Sequence, residues 1–185
     1  MTHYQDIHLL PDEMTGAPVL MNLLFGRLHG ALVQLRSADI GVSFPEVGRT
    51  LGSRLRLHGP QPALAQLDAL PWPGPLASHI RKEKVLPVPE RVQGHRTVSR
   101  RQFKSSPERL RRRLARRHGL SAEEAARRIP DQTARMTDLP FIQLKSASTG
   151  QHFRLFIEHG PLREHASPGS FSPYGLSTTA TVPWF

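Results

Sequence analysis

The sequence predicts an α+β protein, with an N-terminal ferredoxin-like domain over residues 1–95 and a C-terminal domain over residues 96–185 built on an arginine-rich helix and a β-hairpin. Three observations lead there. Apolar positions in the first 70 residues change between strand and helix spacing in the order β-α-β-β-α. Residues 91–117 hold 11 Arg or Lys and a single acid, Glu108. Two β-rich runs flank the turn sequence STGQ at residues 148–151.

Taken in order, residues 2–9 read as a strand carrying Tyr4, Ile7 and Leu9, closed by a turn-prone stretch from Pro11 to Gly16. Pro18 suits the first turn of a helix that runs to about Arg36, because Leu20, Leu24, Leu28, Ala31, Leu32 and Leu35 recur at helical spacing. Residues 40–44 form a short strand stopped by Pro45, and residues 53–58 alternate apolar and polar side chains as a half-buried strand does. Residues 62–70, with Leu64, Leu67 and Leu70, make a second helix. One further strand completes the domain, at residues 84–88 or 96–99, and Pro71, Pro73, Pro75, Pro87 and Pro89 mark the approach to a domain boundary.

The second half opens with the basic block. Ser106, Pro107 and Glu108 have the form of an N-cap, a first-turn proline and an early acid, so a helix is expected from there to His118, stopping at Gly119. Ser121 and Glu124 repeat the start signal as a capping box, and Pro130 ends that helix. Residues 140–145 and 153–158 make the hairpin, and the tail is ordered loop with one possible strand.

The chain of 185 residues carries 25 Lys and Arg against 15 Asp and Glu, a formal charge of +10. The basic block accounts for all of it, since the other 158 residues hold 14 side chains of each sign. A charge this concentrated points to a polyanion, nucleic acid first. Six arginines lie between positions 109 and 117. On a helical wheel Leu110 and Leu114 take one side, Arg109, Arg112 and Arg116 the other, and Arg111, Arg113 and Arg117 flank the stripe. Guanidinium forks favour phosphate. Arg100, Arg101 and Gln102, just ahead of the helix, are types that read base edges, although Gln102 also fits an ordinary polar loop.

Zero cysteines exclude a thiol nucleophile and thiolate metal ligands. The acids form no tight cluster, Asp12-Glu13 and Glu123-Glu124 being isolated pairs, and the ten histidines include no close ligand pair, so neither a metal nor another cofactor is expected. Metal-free RNA cleavage is still open, because ribose supplies its own nucleophile and a histidine near neutral pH can serve as base. His29, one residue beyond core Leu28, is positioned for this or for a simple half-exposed helix histidine. No 18-residue apolar run and no export-type start are present, so a cytoplasmic chain without membrane association is expected.

Several strings resemble a known family along nearly the whole chain and in the same order: LFGRLH at 24–29, IGVSFP at 40–45, VSR at 98–100, SPERLRRRL at 106–114, RRH at 116–118, STGQHFRLFI at 148–157, YGLS at 174–177 and VPWF at 182–185. They are similar to the type I-F CRISPR repeat-processing endoribonucleases. The resemblance implies a ferredoxin-like (RRM-like) first domain and cleavage of precursor RNA at the 3′ base of each repeat hairpin, without metal. It further implies that the enzyme, monomeric when free, stays on the mature guide RNA with the other subunits of the surveillance complex. His29 falls on the catalytic histidine, Ser146 and Ser148 on the serines that hold the ribose, and Tyr174 on the tyrosine that orients the histidine. Arg100 and Gln102 fall on base readers, and Arg112, Arg113, Arg116, Arg117 and His118 on the groove-binding helix. Phe153 falls on the aromatic that stacks on the terminal base pair, while its spacing with Leu155 and Ile157 equally fits a core strand residue. The alternative is a non-catalytic subunit that binds the same RNA hairpin.

Overall fold

The computed structural model describes residues 1–102, 107–129, 138–146 and 150–185, with the side chains of 107–109 left undescribed. It is a mixed α/β structure with antiparallel sheets, and no helix among the described residues is long and apolar enough to cross a membrane. The chain divides into two compact units, Met1–Arg101 with Leu139–Phe185, and Gln102–Asp138.

In the first unit β1 (His3–Leu9), α1 (Ala17–Leu35), β2 (Gly41–Ser43), β3 (Arg54–Gly59) and α2 (Gln61–Asp68) follow the predicted order. β4 (Ile80–Lys82), outside both expected ranges, pairs with β1, and β5 (Leu86–Pro87), within the expected 84–88, pairs with β1 beyond it. Sequence reading missed β4 because it is three residues long with only Ile80 buried, too short to show alternation. The sheet order is β2-β3-β1-β4.

Period-2 alternation divides the sheet into two faces. Ile7 and Leu9 of β1 and Leu55 and Leu57 of β3 join the core with the buried face of α1, which carries Leu20, Leu24, Phe25, Leu28 and Leu32. The opposite face carries Asp6 paired with Arg56 and Tyr4 paired with His58. The Asp6 carboxylate accepts from Nε and Nη2 of Arg56 at 2.7 and 2.8 Å, and both residues are buried. Arg56 also donates to the main-chain oxygen of Phe185 at 2.9 Å and stacks on that ring at 3.9 Å. The chain's last segment therefore covers this face. It can do so because β2 presents Gly41 there: a Cβ would come within 2.6 Å of Phe171 and 2.8 Å of Val182. Burial, reinforced by the charge of Arg56, pushes the pKa of His58 well down, so its imidazole is neutral and shares a 2.8 Å hydrogen bond with Ser43 Oγ.

Residues 96–99, one of the two places expected for a strand completing the first domain, instead belong to a stretch, 94–101, that feeds two other sheets. β6 (Gly94–Arg96) pairs with the tail strand β10 (Val182–Trp184), while β7 (Val98–Arg101) joins the hairpin of β8 (Phe141–Lys145) and β9 (His152–His159) in the order β7-β9-β8. Ile142, Leu144, Leu155 and Ile157 bury one face of this sheet.

The second unit holds α3 (Pro107–His118) and α4 (Ala122–Arg128). Ser121 and Glu124 form the predicted capping box, at 3.2 and 3.1 Å. Gly119 follows α3 with φ +62. The turn residues expected at Ser106 and Pro130 lie outside the described residues. Arg111 Nε donates to the Ile129 carbonyl at 2.8 Å, tying α3 to the end of α4.

Removing Asp6 alone strands a buried guanidinium, so Asp6→Ala is expected to lower the unfolding free energy in urea by about 3–5 kcal/mol. Asp6→Leu combined with Arg56→Met is expected to recover most of that loss. A single substitution costing under about 0.5 kcal/mol would show that the pair does not hold the sheet face closed.

Candidate functional site: a cationic cleft between helix α1 and the hairpin

The seven-residue apolar face of α1 determines where His29 points. Leu28 is fully buried, and the next position, 100° around the helix, sits half-buried at the margin of the face. The imidazole Nδ1 lies 2.9 Å from the carbonyl oxygen of Pro173. A carbonyl can only accept, so Nδ1 carries the proton and the lone pair of the neutral ring resides on Nε2. Tyr174 stacks on the same ring, with centroids 4.0 Å apart and planes 9° from parallel. Its other neighbour is Phe25, at 6.3 Å and 5°.

This arrangement depends on the segment around Tyr174 being pinned. Gly175 adopts φ +68, its amide donates to the Ser172 carbonyl, and its carbonyl accepts from Val42 at 2.9 Å. A Cβ at Gly175 would approach Val42 Cγ1 to 2.6 Å. Glycine is thus required twice over, by the left-handed backbone and by the close approach.

Ser146 follows the end of β8. Its amide donates to the Gln151 carbonyl and its carbonyl accepts from Gly150, each at 2.8 Å, which closes the hairpin end. Ser148, the second predicted serine, lies outside the described residues. His29, Ser146, Tyr174, Arg100 and Phe153 all line one open cleft of about 1120 Å³. Arg100 is exposed on β7, with its guanidinium carbon 5.8 Å from the centroid of Phe153. Phe153 is half-buried, so one side of its ring packs on the core while it also lines the cleft.

Gln102 is exposed, immediately after β7. In the second unit Arg112, Arg113, Arg116 and Arg117 are exposed and together line a concavity of about 610 Å³, and exposed His118 ends α3. Arg109 belongs to α3, with its side chain outside the described residues. The basic block is therefore not uniform. Arg101 pairs with Glu158 at 2.8 Å, Arg96 donates to the Gly160 carbonyl at 2.9 Å and stacks on Trp184, and Arg111 ties α3 to α4.

Sequence reading missed the Pro173 carbonyl, since a main-chain acceptor leaves no side-chain signature. It also missed Arg27, Lys145 and His152, which line the cleft. None of the described residues lining the cleft is a carboxylate, so its field is positive and suits a phosphate. Among the described residues, one group with ligand-type atoms within 4.8 Å exists elsewhere, Asp6, His8 and Glu83. Its Asp6 oxygens are already engaged by Arg56, and Glu83 pairs with His8 at 3.0 Å. A cation there would have to displace a guanidinium.

The protein-family model described as CRISPR-associated protein (Cas_Csy4) matches residues 4–185. The chain is 53% identical over 188 residues to a protein of Pseudomonas aeruginosa (strain UCBPP-PA14) named CRISPR-associated endonuclease Cas6/Csy4, with 100% of both chains covered. It is 47% identical over 185 residues to a protein of the same name from Escherichia coli (strain UTI89 / UPEC), again with 100% of both covered.

The Pro173 contact makes a spectroscopic prediction. Nitrogen NMR of the neutral ring should show Nδ1 as the protonated nitrogen of His29 and Nε2 as the bare one. The reverse tautomer would rule out the arrangement described.

Proposed function

Because the chain belongs to the Cas_Csy4 family of CRISPR-associated proteins, we propose that it is an endoribonuclease that cuts CRISPR precursor RNA at the 3′ base of the repeat hairpin, without a metal ion. The observation that carries this reading is the His29 ring, whose Nδ1 is occupied by the Pro173 carbonyl and whose Nε2 is left as a base in a cleft of cations. In the proposed reaction Nε2 takes the proton of a ribose 2′-OH, and that oxygen attacks the adjacent phosphorus. The bond to the 5′-oxygen breaks and that oxygen gains a proton, so the products are a 2′,3′-cyclic phosphate and a 5′-OH. Two-metal hydrolysis needs carboxylates to hold its ions, and the described cleft residues supply none.

Ser146 and Ser148 hold the ribose in this scheme, and Tyr174 orients the imidazole through the stack. Arg100 and Gln102 read bases low on the stem, and Phe153 stacks on the terminal pair. Arg109, Arg112, Arg113, Arg116, Arg117 and His118 grip the stem's phosphates. An A-form major groove is too narrow for side chains along its length, but a short stem relaxes that limit at its end. Residues 1–95 contribute the base and residues 96–185 most of the RNA grip. The β-α-β-β-α-β order and the β2-β3-β1-β4 sheet support a ferredoxin-like first domain. After the cut the protein remains on the guide RNA as a subunit of the type I-F surveillance complex in the cytoplasm.

Cleavage of a repeat hairpin in EDTA by the wild type, lost in His29→Ala with hairpin affinity retained, is the expected result of a gel assay. Binding without cleavage by the wild type would instead support a non-catalytic hairpin-binding subunit. For the stem grip, Arg113→Ala is expected to make the slope of log affinity against log salt shallower by roughly 0.7 to 0.9 per lost phosphate contact. An unchanged slope would remove Arg113 from the phosphate interface.

A further inference from the structure

We propose that Asn22 is a positioning residue that aligns His29 with Ser146 by tying helix α1 to the edge of strand β8; the inference rests on the reading of His29 as the base. The tie is one hydrogen bond, from the main-chain amide of Gln143 to Asn22 Oδ1, at 2.9 Å. β8 is the outer strand of its sheet, and Gln143 stands opposite Arg154. In the same ladder Ile157 donates to Pro140 and Ser146 to Gln151. Bonded and non-bonded pairs alternate in an antiparallel ladder, so the Gln143 amide points away from β9, toward the open edge. Asn22 satisfies it there.

The spacing then matters. His29 lies seven residues beyond Asn22, two helical turns along the same face and about 10 Å along the axis. Ser146 lies three residues beyond Gln143, also about 10 Å along a strand. Between them Gly26 faces Leu144, where a Cβ on the glycine would meet Leu144 Cδ2 at 3.6 Å, an ordinary contact that lets helix and strand run close. Helix and strand advance by the same length from the Asn22 tie to the reacting pair, so a slip at one end becomes a slip at the other. Asparagine is a poorer helix former than alanine inside a helix, and the edge amide gives it a role there.

The test compares Asn22→Leu, Asn22→Asp and His29→Ala in single-turnover cleavage of a repeat hairpin at saturating protein, with hairpin affinity and hydrogen exchange at Gln143 measured alongside. Asn22→Leu is expected to slow cleavage by about tenfold to a hundredfold while affinity changes less than about twofold, and to speed exchange of the Gln143 amide. Asn22→Asp keeps the acceptor and is expected to restore both the rate and the protection. If Asn22→Leu cuts at the wild-type rate while His29→Ala does not cut, the positioning role falls and the base assignment stands. A loss confined to affinity would also overturn it, by making Asn22 an RNA contact. If His29→Ala cuts like the wild type, the underlying reading fails and this inference with it.

Discussion

One main-chain oxygen, that of Pro173, decides what His29 can do. It lies 144 residues away in sequence and accepts a hydrogen bond from Nδ1–H, so the basic nitrogen is the other one. Holding it there requires the tail to return across the first unit and be fastened at many points. Phe171 bonds to Ala38, Gly175 to Val42, Ser177 to Val98, and β10 pairs with β6. Arg56, buried against Asp6, reaches the last residue, Phe185. The buried charge pair is therefore linked to the site through the segment it helps to anchor, although it contributes no atom to the cleft.

The positive charge and the proposed chemistry occupy different parts of the chain. A net charge of +10 resides in residues 91–117, yet His29, Ser146 and Tyr174 lie outside that block. Within it the arginines have separate duties. Arg96, Arg101 and Arg111 are engaged by carbonyls, a carboxylate or an aromatic ring of the protein itself. Arg100, Arg112, Arg113, Arg116 and Arg117 are exposed. A guanidinium held by its own chain has fewer donors left for a ligand than an exposed one.

Much of the first unit was legible in the sequence because its elements bury one regular face. The leucine repeat of α1 and the alternation of β3 carry strong periodic signals, and the Ser121 capping box and the β8–β9 hairpin have local chemical signatures. What was not legible depends on contacts remote in sequence. β4 is short and stabilised by β1, β7 joins a sheet completed some 55 residues later, and the role of Pro173 lies in a carbonyl that every residue has. His29 could be nominated from its place on α1, but Tyr174 and Ser146 could be joined to it only through the family resemblance. Asn22 had no signal at all, because its partner is a backbone amide on another element.

In the proposed reaction the ribose itself provides the nucleophile and His29 the base. The most direct measurement uses a repeat hairpin with a single 2′-deoxy nucleotide immediately 5′ of the cut, compared with the all-ribose hairpin for binding, cleavage and product ends. The deoxy hairpin is expected to bind as tightly but not to be cut, while the ribose hairpin yields a cyclic phosphate and a 5′-OH. Cleavage of the deoxy hairpin, or a product bearing a 5′-phosphate, would contradict that reaction.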